Sequence, residues 1–180
     1  MPDNDEGVSS AQAFESLVTD VYQPLQRYLR RRTDIDTAHD VLGDVLLVMW
    51  RRADAIPAEA PLAWCYGVAR RCLANSLRQT DRQRRLMTRL RSEVPVSEPP
   101  SDPILEEALD KLNTADQELL QLWAWEHLAA SDIAQVLGIT ANAASIRLHR
   151  AIKKLEKQLG ERKEPGRSGQ PAGRQERKTR

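Results

Sequence analysis

Apolar positions recur along the chain with the period of an α-helix and do not alternate for long enough to predict a strand. In residues 14–29 they follow the i, i+3, i+4, i+7 spacing that places side chains on one helix face. Because proline lacks a backbone N–H, we expect a kink or a break at Pro24, which lies inside this stretch. A second helix is predicted from about Thr37 to Arg52, with Thr37 and Asp40 as a capping-box pair.

Prolines divide the remainder into further helices and one linker. Pro61 suits the first turn of a third helix, which runs to about Leu77 or on to Leu90. Residues 92–103 contain four prolines and no apolar period, which is typical of a linker. Beyond it, four more helices are predicted, at 104–111, 114–126, 131–137 and 140–159.

The predicted fold class is therefore all-α, with two small helical domains on a flexible, acidic, proline-rich tether. The N-terminal domain spans residues 1–91 and the C-terminal domain residues 104–160. A basic tail, 161–180, is rich in Gly, Pro, Arg and Gln, and we expect it to be disordered.

Composition adds a charge asymmetry that the net charge of +1 hides. Residues 70–91 hold eight arginines against a single acid, Asp81, whereas the linker holds three acids and no base. Segregated charge of this kind informs about binding partners more than about fold.

The second helix presents one broad apolar face, and Leu47 falls outside it, beside Asp40, Asp44 and Arg51. An exposed leucine ringed by acids suits a protein-binding patch. Packing of Leu47 against a neighbouring helix explains the pattern equally well.

The third helix separates an apolar face from a basic one. The basic face carries Gly67, Arg71, Asn75, Arg78, Arg82 and Arg85, with Trp64 at its start. Guanidinium groups displace phosphate counterions and an indole stacks on an unpaired base, so this face suits nucleic acid. The alternatives are a solvated basic surface and a tryptophan that belongs to the core.

Residues 131–150 have the pattern of a helix-turn-helix. Gly138 suits the turn, and Thr140 suits the N-cap of the second helix. Such a helix enters the major groove, where Arg and Asn read base edges and an exposed Ile or Ala meets a thymine methyl. We expect one of Trp123 and Trp125 to be buried and the other exposed.

Catalytic and metal-binding patterns are absent from the sequence. There is no phosphate-binding Gly-rich loop, nucleophile elbow or zinc spacing, so we expect no enzymatic activity, no cofactor and no metal. Cys65 and Cys72 fit reduced thiols in a cytoplasmic protein. No apolar run is long enough for a membrane span, and the acidic first residues do not form a secretory signal.

Three stretches together resemble the extracytoplasmic-function class of bacterial RNA polymerase sigma factors. DTAHDVLGDVLLVMWRR (36–52) resembles the family's polymerase-binding helix, and PLAWCYGVARRCLANSLRQ (61–79) its promoter-melting and minus-ten segment. Residues 109–159 resemble its minus-thirty-five-binding domain.

The resemblance implies three sets of functional residues. Those that bind core polymerase are Asp40, Val41, Asp44, Leu47 and Trp50. Those that hold the minus-ten element are Trp64, Arg70, Arg71, Asn75 and Arg78, with the loop 53–60. Those that read the minus-thirty-five element are Thr140, Asn142, Ala143, Ile146, Arg147 and Arg150.

The resemblance also implies partners: core RNA polymerase (the clamp of its largest subunit and the flap of its second-largest), promoter DNA and an anti-sigma factor, which sometimes holds such proteins near the membrane. The chain departs from the family at Gly43 and Asp44, where a Gln-Glu pair is usual, and at Arg71 and Ser145, where Asn and Lys are common. The residues alone also allow a stand-alone helix-turn-helix regulator, or an adaptor that binds only proteins.

Overall fold

The computed structural model describes residues 4–86 and 102–162, with side chains described at 12–82 and 102–160. Over these residues the protein is all-α, as predicted, with seven helices and no strand. The helices are α1 Asn4–Arg30, α2 Ile35–Arg51, α3 Pro61–Leu86, α4 Pro103–Asp110, α5 Thr114–Ala124, α6 Ala130–Leu137 and α7 Ala141–Arg162, and a short 3-10 turn, Ala53–Ala55, follows α2. The extension of the third helix to Leu90, most of the predicted linker and the tail beyond 162 lie outside the described residues.

Helix α1 continues through Pro24, so the chain does not break there. Proline removes one backbone hydrogen bond from a helix interior. On either side of it, Val21, Leu25 and Tyr28 are almost completely buried against the other helices. We infer that this tertiary burial holds the helix together across a residue that opposes it locally.

Helix α2 begins two residues earlier than predicted, and its cap is a different residue. Asp34 is the N-cap, and its Oδ1 accepts a hydrogen bond of 2.9 Å from the Thr37 backbone N–H. This hydrogen bond lowers the pKa of the Asp34 carboxyl. The predicted pairing of Thr37 with Asp40 is therefore wrong: Thr37 lies in the first turn and donates to the cap.

The first three helices pack on one another and bury the apolar faces that the sequence predicted. On α2, Val41, Leu42, Val45 and Met49 are at most 3% exposed. On α3, Cys65, Tyr66, Ala69 and Leu73 are buried against them. The outward faces of α2 and α3 are thereby fixed, because a helix that buries one side must present the other.

Helices α4 to α7 make up the C-terminal half of the described chain and include the predicted helix-turn-helix. Gly138 ends α6 with a φ of 68°, a left-handed conformation that glycine adopts without steric cost. Thr140 caps α7 by accepting a 3.2 Å hydrogen bond from the Ala143 N–H. The turn and the cap are confirmed.

The prediction that one of Trp123 and Trp125 is buried is wrong. Trp123 and Trp125 are 45% and 37% exposed, so neither is buried. Helix α5 ends at Ala124, and its core side is occupied instead by Leu119, Leu120 and Leu122. The prediction is wrong because it extended this helix to residue 126, whereas the helix ends at Ala124.

The two thiols differ in their accessibility, and this predicts their reactivity. Cys65 is fully buried, and burial raises its pKa to about 12. Cys72 is half-buried, and burial together with the nearby Asp44 charge raises its pKa as well. At pH 8 the Cys65 thiolate fraction is about one in ten thousand, so we expect iodoacetamide to label Cys72 slowly and Cys65 only upon unfolding.

The measurement is mass spectrometry of the alkylated peptides over time, with and without denaturant. In the Cys72→Ser variant, Cys65 is the only thiol, so its protection is measured without competition. Rapid alkylation of Cys65 in that folded variant would show that the site opens readily.

Candidate nucleic-acid and protein interfaces

Helix α2 presents an acidic and apolar strip to solvent. Asp40, Asp44, Leu47 and Trp50 are all exposed, with Leu47 at 46% and Trp50 at 59%. Single exposed apolar residues are common on protein surfaces, but a leucine and a tryptophan one turn apart on an acidic helix form a contiguous patch. We call these four residues the α2 outer face.

Val41 does not belong to this face. It is 1% exposed and part of the core, so its side chain is not presented to a partner in this structure. The helical period explains the difference: Val41 shares the side of Val45 and Met49.

Phe14 extends the α2 outer face across to α1 and was missed from the sequence. Its ring lies edge-on to Trp50, with centroids 5.0 Å apart and an interplanar angle of 77°. T-shaped aromatic pairs are energetically favourable, so the contact with Phe14 stabilises the position of the exposed Trp50 ring. The helical pattern of α1 assigned Phe14 to the core. That pattern describes a single helix, so it could not predict contact between Phe14 and a residue of α2.

The basic face of α3 is exposed to solvent from Arg71 onwards. Arg71, Asn75, Arg78 and Arg82 are all exposed. Arg78 donates a 2.6 Å hydrogen bond to the Asn75 side-chain oxygen, which leaves the Asn75 amide N–H₂ group available to a ligand. Arg85 lies outside the residues with described side chains.

Two other residues implied for the same surface are engaged within the protein. Trp64 is half-buried and packs against the core. The alternative interpretation, that this tryptophan belongs to the core, is therefore partly correct. Arg70 forms an ion pair with Glu118 of α5, with Nε and Oε1 2.6 Å apart. Gly67, on the same helix, is buried because α6 covers it: a Cβ atom there would lie 3.6 Å from the Val136 Cα.

Helix α7 presents the outward face predicted for the second helix of the helix-turn-helix. Its exposed residues include Asn142, Arg147 and Arg150, and Ile146 is 44% exposed. Ala143 is half-buried, and the exposed Thr140 uses its hydroxyl oxygen as the cap. Ala144, Leu148 and Ala151 form the buried side. The six residues implied for this surface thus lie together at the N-terminal end of one helix.

A cleft of about 400 Å³ lies between Arg70 of α3 and residues of α5 to α7. Arg70 lies on one wall, Arg147, Arg150 and Lys154 lie on another, and Leu119, Leu137 and Ile139 complete its apolar lining. Lys154 is paired with Asp116 and Arg70 with Glu118. The cleft therefore brings Arg70 of α3 close to the α7 arginines, whereas the exposed residues of the α3 basic face do not line it.

Contacts between the two halves of the chain are the feature that sequence analysis missed most completely. One continuous cluster of buried apolar residues runs through both halves. Glu126, which follows α5, lies within hydrogen-bonding distance of Arg31, Arg32 and Tyr66 of the N-terminal half. The residues concerned are ordinary charged residues in sequence, so no local pattern marks them.

The described ranges, 4–86 and 102–162, contain no group of three or more residues able to hold a metal ion. Within the same ranges, each helix is too short or too polar to cross a bilayer.

Comparison with known proteins agrees with this architecture. Residues 103–155 match the family described as Sigma-70, region 4. A comparison with curated proteins finds no significant match. Among solved structures, the chain is similar to the Bartonella quintana complex of the sigma factor RpoE with the anti-sigma factor NepR, with 20% identity, 83% of this chain and 98% of that chain covered, and a TM-score of 0.60.

Two further structures are similar over most of the chain. One is the PhyRSL–NepR complex from Sphingomonas sp. Fr1, with 15% identity, 89% and 98% coverage and a TM-score of 0.61. The other is CnrH in complex with the cytosolic domain of CnrY, with 23% identity, 84% and 90% coverage and a TM-score of 0.56. The described residues share the fold of these structures, and residues 103–155 match the sigma-70 region 4 family, in agreement with the resemblance stated from the sequence.

Proposed function

From the region 4 domain and the sigma-factor fold, we propose that this protein is an extracytoplasmic-function sigma factor. It binds core RNA polymerase and directs transcription initiation at specific promoters. The observation that carries the proposal is the exposed face of α7, with Asn142, Ile146, Arg147 and Arg150, inside a domain that matches region 4. The nucleotide-transfer chemistry belongs to the polymerase, and this subunit contributes recognition and strand opening.

The α2 outer face is the surface that docks on the clamp of the largest polymerase subunit. Leu47 and Trp50 supply apolar area, and Asp40 and Asp44 supply charge that steers a basic partner into register. Phe14 holds the Trp50 ring from the side. The C-terminal domain contacts the flap of the second-largest subunit.

The basic face of α3 binds the minus-ten element. Arg71 and Arg78 neutralise phosphates, while Asn75 offers its amide to a base edge. An unpaired base stacks on the half-buried Trp64, which is held in place by the core. Binding energy released only on the correct single-stranded bases favours strand opening at the correct sequence.

The N-terminal end of α7 reads the minus-thirty-five element in the major groove. Arg147 and Arg150 bind phosphates or guanine edges, Asn142 binds base edges, and Ile146 and Ala143 contact thymine methyl groups. The Thr140 hydroxyl, whose oxygen caps the helix, still has its proton to donate to a phosphate. Phosphate contacts fix the register, and base contacts give specificity.

An anti-sigma factor regulates the protein by covering its polymerase-binding surfaces. Support comes from two of the similar structures, which are described as a sigma factor with the anti-sigma factor NepR and as CnrH with the cytosolic domain of CnrY. The exposed apolar pair Leu47 and Trp50 offers the corresponding surface here.

Run-off transcription tests the proposed function directly. Purified protein and core polymerase are incubated with a fragmented genomic library from the host, with core polymerase alone as the control. We expect transcripts that depend on the added protein and whose start sites share two upstream elements. If no such transcripts appear and the protein alone binds duplex DNA specifically, it is a stand-alone regulator instead.

A further inference from the structure

The exposed face of α3 around Asn75 is rich in hydrogen-bond donors. Arg71 lies four residues before Asn75 and Arg78 three residues after it, and all three side chains are exposed. Residues three or four apart are neighbours on a helix surface, so the guanidinium groups flank the Asn75 amide. A guanidinium has five N–H donors and no acceptor. Among these three side chains, the Asn75 Oδ1 atom is therefore the only acceptor.

A hydrogen bond from Arg78 fixes the orientation of the Asn75 amide. The Arg78 Nη2 atom donates to the Asn75 Oδ1 atom at 2.6 Å. Because a guanidinium can only donate, the amide atom that faces it must be the oxygen and not the nitrogen. A hydrogen bond from a charged donor is also stronger than one between neutral groups. The Asn75 amide therefore presents its N–H₂ group, with two donors, to a ligand.

This orientation changes the base that Asn75 can read. An asparagine amide commonly reads adenine, since its oxygen accepts from the N6 amino group while its N–H₂ group donates to N7. In this protein the Asn75 oxygen already accepts from Arg78. An adenine amino group at the same oxygen would place a second donor beside a positive charge, which is unfavourable. The usual pairing with adenine is thereby disfavoured.

Guanine and thymine fit the same surface better than adenine and cytosine. On the edge that faces the major groove, guanine carries the acceptors O6 and N7, and thymine carries the acceptor O4. Adenine and cytosine carry an amino group, which is a donor, at the corresponding position. A keto oxygen accepts from the Asn75 N–H₂ group and is attracted by the flanking guanidinium groups of Arg71 and Arg78. Guanine fits best because it offers two acceptors.

We propose that Arg78 is a positioning residue that makes Asn75 a reader of keto bases, guanine above thymine, in the minus-ten element. The inference rests on the proposed function, because it takes promoter DNA as the ligand of this face. The Arg78 guanidinium engages one of its five N–H groups with Asn75 and keeps the others for a phosphate. Arg82, the next arginine of the face, is outside this hydrogen bond and contributes affinity alone.

Transcription from base-substituted promoters tests which base Asn75 reads. A promoter found by run-off transcription is prepared with each of the four bases at each minus-ten position in turn. With wild-type protein and core polymerase, we expect one position at which guanine is favoured over adenine about tenfold. Asn75→Ala is expected to lose the preference at that position only. Gln79→Ala is the matched control, because Gln79 is an exposed amide on the same helix and lies outside the hydrogen bond.

Substitution of Arg78 tests its positioning role. In Arg78→Met the Asn75 oxygen is free, so we expect the preference for guanine over adenine to fall about tenfold at the same position. Arg78→Lys is expected to keep the preference, since an ammonium group also donates to Oδ1. Arg82→Met is the matched control, because it removes an exposed arginine from the same face. Both methionine variants weaken promoter binding and lower its salt slope by about one, but only Arg78→Met changes the base preference.

The outcomes separate this inference from the function on which it rests. If the wild-type protein supports no transcription with core polymerase, the proposed function fails and the inference fails with it. If transcription depends on the protein but Asn75→Ala changes no base preference, Asn75 reads no base and only the inference is overturned. An Arg78→Met variant that keeps the wild-type preference for guanine likewise overturns the inference. An equal change of preference in Arg78→Met and Arg82→Met shows a general effect of charge and overturns it as well.

Discussion

Replacing Leu47 by aspartate is expected to abolish transcription directed by this protein while leaving its helix content unchanged. Leu47 is 46% exposed and absent from the core, so the substitution costs the fold little. In the complex with polymerase, the variant loses the burial of a leucine, worth about 1.5–3 kcal/mol. It also places a carboxylate in an apolar contact, at a further cost of a few kcal/mol.

Together these effects predict a loss of affinity for core polymerase of about 100-fold or more, at ~1.4 kcal/mol per tenfold change. The measurements are titration of labelled protein with core polymerase and run-off transcription. Leu105→Asp on α4 is the matched control, because Leu105 is also an exposed leucine, at 36%, and lies outside the proposed surfaces. A Leu47 variant that stays folded by circular dichroism and remains fully active would remove Leu47 from the interface.

The Arg147→Ala/Arg150→Ala variant is expected to lose recognition of the minus-thirty-five element. Both arginines are exposed, and no hydrogen bond or ion pair within the described structure involves them, so their removal leaves the domain intact. A good arginine contact with a base edge contributes ~1–3 kcal/mol. Losing two of them predicts a decrease of about 30-fold or more in affinity for a promoter.

Transcription from promoters with an intact and a scrambled minus-thirty-five element distinguishes specific from general effects. We expect the wild-type protein to discriminate between the two promoters and the variant to transcribe both equally weakly. Arg27→Ala/Arg30→Ala is the control, because it removes two exposed arginines from α1 and changes the net charge equally. Unchanged discrimination by the α7 variant would show that Arg147 and Arg150 do not read the element. Absence of discrimination by the wild-type protein would favour the adaptor hypothesis, in which the domain binds only proteins.

Local sequence patterns were sufficient to predict most of the helices. The spacing of apolar residues predicted seven helices, because a helix face is repeated every three to four residues, although α1 begins at Asn4, well before the predicted stretch 14–29. Boundaries were less well predicted: the cap of α2 is Asp34, and α5 ends before Trp125. Capping depends on which of several eligible side chains reaches a free N–H, which composition does not determine.

The helical period predicted which residues are exposed better than it predicted which residues contact each other. Arg78 and Arg147 are exposed, as the helical period predicted, and Leu47 is exposed although the period equally allowed it to pack against a neighbouring helix. Val41 was assigned to a surface by resemblance, yet the helical period already placed it in the core, where it lies. Phe14 was missed because its partner, Trp50, comes from another helix.

The sequence by itself determined the all-α architecture, the helix-turn-helix and the charge of each outer face, since all of these follow from residue spacing along single helices. Only the tertiary structure decided how the two halves meet. Arg31, Arg32 and Arg70 belong to one half, and Glu118 and Glu126 to the other. An ion pair between distant residues depends on the packing of whole helices, and no local period records it.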